Sequence, residues 1–207
     1  RTRATVHWLV RANNEDDALK RIKKNLEYYE LWNENFIARI RILLANLDSS
    51  RFGLSVQQYE SLADEVDVIY HNGAMVNFVY PYRALKPVNV DSTHEVLHLA
   101  SMRKLKPVHF VSSLSVFMKG DLRETGLCYE DADLMAVGVP FGGYGQSKWV
   151  AEGLLRTAAQ RGVPMTTYRP DNILGDHRSG ILNTSDMTYS LVRAVFKLGS
   201  VPDVEVM

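Results

Sequence analysis

The sequence predicts an α/β protein in which a parallel sheet is covered by helices on both faces. Three observations predict it. Short β-branched runs alternate with longer helical patterns in the order βαβαβαβαβα, the pattern made by parallel strands joined through helical crossovers. No repeat, low-complexity tract or linker interrupts the series, so it reads as one domain. Four strands end in polar or small residues, and open parallel sheets bind ligands at those carboxyl ends, beside the topological switch point.

The elements follow in order. Thr5–Val10 (TVHWLV) is the first strand, and Glu15–Leu31 a helix with Leu19, Ile22, Leu26 and Tyr29 on one side at helical spacing. Arg39–Leu44 (RIRILL) is strand-like, and Ser55–Ala63 a short helix with Ser55 as its N-cap, a residue type that accepts from the free amides of a first turn. Val66–His71 (VDVIYH) is a strand. Pro81–Lys104 is a long helix that turns Leu85, Val96, Leu97 and Ala100 to the core. Pro107–Ser112 (PVHFVS) is the fourth strand. Tyr144–Arg161 is a helix ended by Gly162 and Pro164, residues that stop helices. Met165–Arg169 is the fifth strand and Ser185–Leu198 the last helix.

Composition excludes several classes of function. The 207 residues are 46% hydrophobic and 23% charged, with 24 Lys and Arg against 24 Asp and Glu. That balance leaves no electrostatic footprint for nucleic acid or an anionic membrane surface. The longest apolar runs are strand-sized, too short for a bilayer. The lone Cys128 excludes an intramolecular disulfide and fits a reducing, cytoplasmic setting.

Arg11 closes the first strand, HNGA (71–74) the third, SSLS (112–115) the fourth and RPDN (169–172) the fifth. Into this crevice the FGGYGQSKW segment brings Tyr144 and Lys148, four apart and hence on one helix face. An ammonium beside a phenol favours the phenolate and lowers the phenol's pKa. The same lysine can hold ribose hydroxyls, while Ser113 holds a carbonyl oxygen against the tyrosine. Together the three make a proton donor at a carbonyl, the partner that hydride delivery requires. The plainer alternative is a surface Tyr–Lys pair, since a spacing alone is only a hypothesis.

Eight phrases stand in register: LVRA (9–12), FGLS (52–55), VDVIYHNGAMVNFVYPY (66–82), NVDST (89–93), FVSSLSVF (110–117), YGQSK (144–148), YRPDNILGDHRSG (168–180) and KLGSVPD (197–203). On these, from Val6 to Val201, the sequence resembles the extended short-chain dehydrogenase/reductase superfamily. Within it, the likeness is to the thioester reductase domains that end nonribosomal peptide and polyketide synthetases. Carboxylic acid reductases and fatty acyl-CoA reductases are near relatives.

The resemblance implies a Rossmann-like doubly wound sheet, with Ser113, Tyr144 and Lys148 as catalytic residues and NADPH as cofactor. It places Arg11, joined by Arg21, at the adenosine 2′-phosphate, where a guanidinium suits a phosphate dianion; the alternative for Arg11 is a solvated strand end. Asn46 and Leu47 fall near the adenine, with Asn46 in place of the usual Asp. Asn72, Gly73 and Ala74 match the small-residue turn under the cofactor. Asn89 matches a helix asparagine that supports the lysine through water. Asn172 and Ile173 would face the nicotinamide. Ser92 and Asp171 replace usual glycines beside the groove. The implied activity is reductive release of an acyl or peptidyl thioester, carried on the phosphopantetheine arm of a carrier protein, as an aldehyde or onward as an alcohol. No covalent acyl-enzyme is needed, so Cys128 is incidental.

The resemblance also implies parts that residues 1–207 lack. A first strand with its glycine-rich phosphate loop is expected upstream, and most of a C-terminal substrate-binding subdomain downstream. The chain therefore reads as part of one NADP-binding reductase domain in a larger multidomain polypeptide, inactive alone. In the strand order 3-2-1-4-5-6 the missing strand is central, and its loss leaves two neighbours with unpaired backbone groups.

Three other readings remain. HEVLH (94–98) is a literal HExxH, the zinc-protease pattern, but no glutamate lies about twenty residues downstream to serve as third ligand, Glu124 being the nearest. A different extended reductase or epimerase, acting on a ketone or nucleotide sugar, would share Ser113, Tyr144 and Lys148. A non-catalytic cofactor-binding module is the third. His71 reads as a packed residue at a strand end.

Overall fold

The computed structural model describes residues 2–119 and 129–201. Cys128 and Glu124 lie outside the described residues, as do Pro202 and Asp203 of the last phrase. All five expected strands are present: β1 (Val6–Val10), β2 (Ile40–Leu44), β3 (Ile69–His71), β4 (Val108–Val111) and β5 (Met165–Tyr168). Every pairing is parallel. They form two ladders, β1–β2 and β3–β4–β5. Among the described residues β1 and β3 do not pair, and this break coincides with the place of the expected central strand. β3 is three residues shorter than expected because its ladder with β4 starts only at Ile69, opposite Val108.

The helices are α1 (Glu15–Tyr28), α2 (Val56–Glu65), α3 (Tyr82–Lys86), α4 (Ser92–Ser101), α5 (Leu134–Val137), α6 (Gly143–Gln160) and α7 (Met187–Leu198). Asn14 caps α1 by accepting from the Asp17 amide at 2.8 Å. Three acids in that first turn face the positive end of the helix dipole. Ser55 caps α2 as expected, in a reciprocal box with Gln58, which satisfies two otherwise orphaned amides. α1 stops three residues early. Glu30 takes φ 55° and the Leu31 amide folds back onto Leu26 O at 2.7 Å, which ends the helix without a glycine.

The expected single helix over 81–104 is a helical stretch from Tyr82 to Ser101 interrupted by a π turn at Pro87–Asp91. Pro87 explains the change of register: it donates no amide, and its ring excludes an ordinary i−4 carbonyl. The inserted turn also shifts the core stripe. Leu85, Val96 and Ala100 are buried as expected, but Leu99 is buried with them and Leu97 only half-buried.

Helices cover both faces of the β1–β2 ladder. α1 sets Ala18 and Ile22 against Val10, with Trp8, Ile40 and Ile42 packed alongside. Leu9 and Leu43, pointing the opposite way as strand alternation requires, join the larger core. There Tyr59 and Leu62 of α2, Val96 and Leu99 of α4, and Ala151 and Leu155 of α6 meet Val108 and Phe110 of β4. The carboxyl ends of β3, β4 and β5 thus lie together beside the start of α6.

Candidate active site

Ser113 follows β4 and caps the 3₁₀ turn Leu114–Phe117. Its Oγ accepts from the Ser115 amide at 3.2 Å, so the cap occupies an oxygen lone pair and leaves the hydroxyl proton to donate. The turn lies against α6, since a Cβ built on Gly145 would come 2.8 Å from Ser115 O. Lys148 Nζ donates to Val111 O at 2.8 Å, two residues ahead of Ser113, and stands 4.8 Å from the centre of the Phe110 ring. Tyr144 is one turn earlier on the same buried face of α6. The three predicted catalytic residues therefore gather at the end of β4.

Their electrostatics correct one expectation. Burial pushes the Tyr144 phenol up from its ordinary value rather than down. The ammonium that was to lower it is tied to the Val111 carbonyl, and burial brings Lys148 itself down to about 8, with the Glu152 charge opposing the fall. The direction suits a reductase: a tyrosine held in its phenol form is ready to give its proton.

Asn89 braces the same helix. Its Oδ1 accepts from the Met75 amide at 2.7 Å, and its Nδ2 donates to Met75 O at 3.0 Å and to Ser147 Oγ at 2.9 Å. Both amide protons are spent bracing the segment after β3 against α6. Ser92 does not face a groove. It is fully buried, its hydroxyl donating to Val88 O across the π turn.

Sequence reasoning missed the roof over the tyrosine. Asn77 Oδ1 accepts from the Val79 and Tyr80 amides at 2.9 and 2.8 Å, and this turn carries Phe78 edge-on to Tyr144, ring centres 5.3 Å apart. The loop can lie so close because residue 143 is glycine: a Cβ there would collide with Tyr80 O. Also missed was Glu152, buried one turn beyond Lys148 and ion-paired with Arg169. A polar signal was available, for Tyr144, Lys148 and Glu152 stand at i, i+4 and i+8 on a core-facing stripe.

The expected cofactor residues are spread along the same edge. Arg11 and Arg21 are exposed and adjacent, with Arg21 Nη1 donating to Arg11 O at 3.0 Å. Leu47 packs on Gly73, where a Cβ would come 2.5 Å from its Cδ1 and push that side chain aside, so the glycine lets the segments after β2 and β3 lie close. Asn46 is held through its backbone, its amide donating to Phe52 O at 2.8 Å. Asn72 is exposed and Ala74 half-buried at the end of β3, and Asn172 and Ile173 are exposed after β5. The donor set fits a dinucleotide: guanidinium groups at one end, a lysine with free protons at the other, small residues between them.

The zinc pattern finds no support. His98 turns to α2, stacking on Tyr59 with centres 5.8 Å apart and Nδ1 3.3 Å from its hydroxyl. Among the described residues no group of three or more His, Cys, Asp or Glu converges. No described helix is long and apolar enough to cross a membrane.

All 207 residues match a family of NAD-binding domains described as male sterility protein. The chain belongs to that family. Its fold follows the crystal structure of the terminal R domain from the myxalamid PKS-NRPS biosynthetic pathway, with a TM-score of 0.93 and 41% identity, covering 100% of this chain and 52% of that one. It is 42% identical to a linear gramicidin synthase of Brevibacillus parabrevis over 98% of this chain and 4% of that protein. It is 40% identical to L-2-aminoadipate reductase of Saccharomyces cerevisiae over 95% of this chain and 15% of that protein. The chain spans about half the length of that R-domain structure and a small part of the two curated relatives.

Proposed function

We propose that this chain takes part in the NADPH-dependent reduction of an acyl or peptidyl thioester, presented by a phosphopantetheinylated carrier protein, to an aldehyde, within a larger cytoplasmic polypeptide. One observation carries the reading: a buried, protonated Tyr144 stands one helical turn from a buried Lys148 anchored at the strand end that leads to Ser113. The relatives, a linear gramicidin synthase and an L-2-aminoadipate reductase, support the substrate class. Arg11 and Arg21, adjacent and exposed, favour the extra phosphate of NADPH, which a guanidinium fork binds through paired hydrogen bonds.

When bound, the nicotinamide supplies hydride to the thioester carbon. Ser113 donates its free hydroxyl proton in a hydrogen bond to the carbonyl oxygen and holds it against Tyr144. Tyr144 gives its phenolic proton to that oxygen as negative charge develops there, stabilisation that acts mainly in the transition state. Lys148, with protons beyond the one given to Val111, grips ribose hydroxyls. Phe78 shields the phenol from water. Collapse of the resulting thiohemiacetal returns its hydroxyl proton to the Tyr144 phenolate and expels the pantetheine thiolate, which takes a proton from solvent, leaving the aldehyde; a second hydride and proton give the alcohol.

The test is NADPH oxidation by the full-length protein on an acyl-pantetheine thioester, with NADH compared. Tyr144→Phe is expected to lower kcat by roughly 10²–10⁴ with NADPH affinity kept. Wild-type turnover in Tyr144→Phe would overturn the assignment.

A further inference from the structure

Arg169 is the first residue after β5, and its side chain meets α6, the turn that Ser113 caps and the segment before α5. Nε stands 3.1 Å from both carboxylate oxygens of Glu152, and Nη2 is 2.8 Å from Oε2. Nη1 donates to Glu130 O at 2.8 Å, in the segment before α5. The guanidinium carbon lies 5.0 Å from the centre of the Phe117 ring, the last residue of the turn that Ser113 caps. Glu152 is on α6, one turn past Lys148. The Glu152 and Arg169 side chains are only 4% and 18% exposed.

We propose that Arg169 and Glu152 are positioning residues for the reduction, their ion pair locking the Ser113 turn, the Tyr144–Lys148 helix and the 169–172 strand end into one geometry. The inference rests on the assignment of Ser113, Tyr144 and Lys148 made above. Only arginine meets these demands together: a planar fork for the carboxylate, a further N–H for the carbonyl and a flat face for the ring. Stability alone does not ask for the pair, because a buried ion pair gains little over apolar residues of the same volume. Its neighbours on that stripe, Ala151 and Leu155, are apolar.

Glu152 has a second effect through charge. The titratable and charged groups facing Lys148 are Tyr144 and Glu152 from α6, His71 from β3 and, behind Glu152, Arg169 from β5. Of these, Glu152 works against burial and raises Lys148.

The experiment is the pH dependence of kcat and KM in the full-length protein, acting on an acyl-pantetheine thioester with NADPH. Glu152→Gln keeps an acceptor for Arg169 and removes the charge. Its kcat is expected to fall roughly tenfold at pH 7 with KM little changed, the signature of an interaction lost in the transition state. Its alkaline limb should move about one unit toward acid, because Lys148 loses its supporting charge. Arg169→Lys should fall as far, since an ammonium cannot make the fork. If Glu152→Gln does not fold, Glu152→Leu combined with Arg169→Leu restores an apolar contact and should show the same loss and the same limb. A purely structural pair would alter melting temperature while leaving kcat of the folded protein and the limb at their wild-type values, and that result overturns the proposal. A Tyr144→Phe control run alongside separates the two failures. An inactive control with an unchanged Glu152→Gln sinks the inference alone, whereas an active control sinks the site assignment and the inference with it.

Discussion

Strand β4 has a buried lysine at each end, and the two ends use it differently. At the amino end Lys106 is 0% exposed, and its Nζ donates to Leu99 O at 3.1 Å, Met102 O at 2.8 Å and Lys104 O at 2.9 Å. Those carbonyls belong to the last turn of α4 and the bend after it, groups that a helix end cannot satisfy itself. All three ammonium protons are used. At the carboxyl end Lys148, 3% exposed, gives one proton to Val111 O and rests on the face of Phe110; it has no other partner among the described residues. A saturated buried cation is a part of the scaffold. One left with unused donors, at the ligand-binding end of a parallel sheet, is held for something else.

The largest effect that would break this contrast is on activity. Lys148→Met should lower kcat by roughly 10³ and leave the melting temperature no lower. The sign follows from the shift. Burial takes Lys148 from 10.5 to about 8, so the folded state binds its proton less tightly than the unfolded state. That cost to stability is present below pH 8 and fades as pH rises toward 10.5. An apolar chain of similar length removes it. Lys106→Met should do the opposite. Met102 O and Lys104 O lose their ammonium donor and Leu99 O keeps only the Met102 amide at 3.4 Å, which should cost roughly 2–4 kcal/mol of unfolding free energy, read by urea titration, with kcat of the folded protein within a factor of two. Loss of activity at full stability in Lys106→Met would erase the distinction between the two ends.

The same contrast explains what was legible in the sequence. Strand ends, caps and the Tyr144–Lys148 spacing are local signals, and each reappears: Ser55 caps α2, Gly162 with φ 96° follows α6, and Ser113, Tyr144 and Lys148 share one strand end. What escaped depends on contacts distant in sequence. The π turn requires knowing how Pro87 is accommodated inside a helix. The Phe78 roof depends on how closely Tyr80 approaches Gly143, far along the chain, and the Arg169–Glu152 pair joins a strand end to a helix. The direction of the Tyr144 shift was misread because spacing places a charge near the phenol but does not say where the ammonium points. Lys106 drew no attention at all, since a lysine before a strand is ordinarily a solvated one.

A smaller effect sharpens the picture of the carboxyl end, where keeping Lys148 charged constrains its neighbours. His71 closes β3, 5% exposed, its ring 5.3 Å from that of Phe110. Thr93 commits its one hydroxyl proton to Asn89 O at 2.9 Å, so His71 Nε2 carries the proton donated to Thr93 Oγ1 at 3.0 Å. Burial first, and the Lys148 charge second, bring His71 from 6.5 down to about 3. The unfolded chain therefore takes up a proton that the folded protein refuses. Stability is complete above pH 6.5 and drains away as pH falls toward 3, by an amount on the order of a few kcal/mol. Urea midpoints measured from pH 8 to pH 4 should show that decline in the wild type and a flatter one in His71→Gln, the difference isolating this group from the carboxylates that titrate in the same range. In a Lys148→Met background the difference should shrink, because one of the two causes has gone. An unchanged difference would mean that burial alone keeps His71 neutral and that the two residues do not sense each other's charge. A smaller one would show that the Lys148 charge helps to keep His71 neutral.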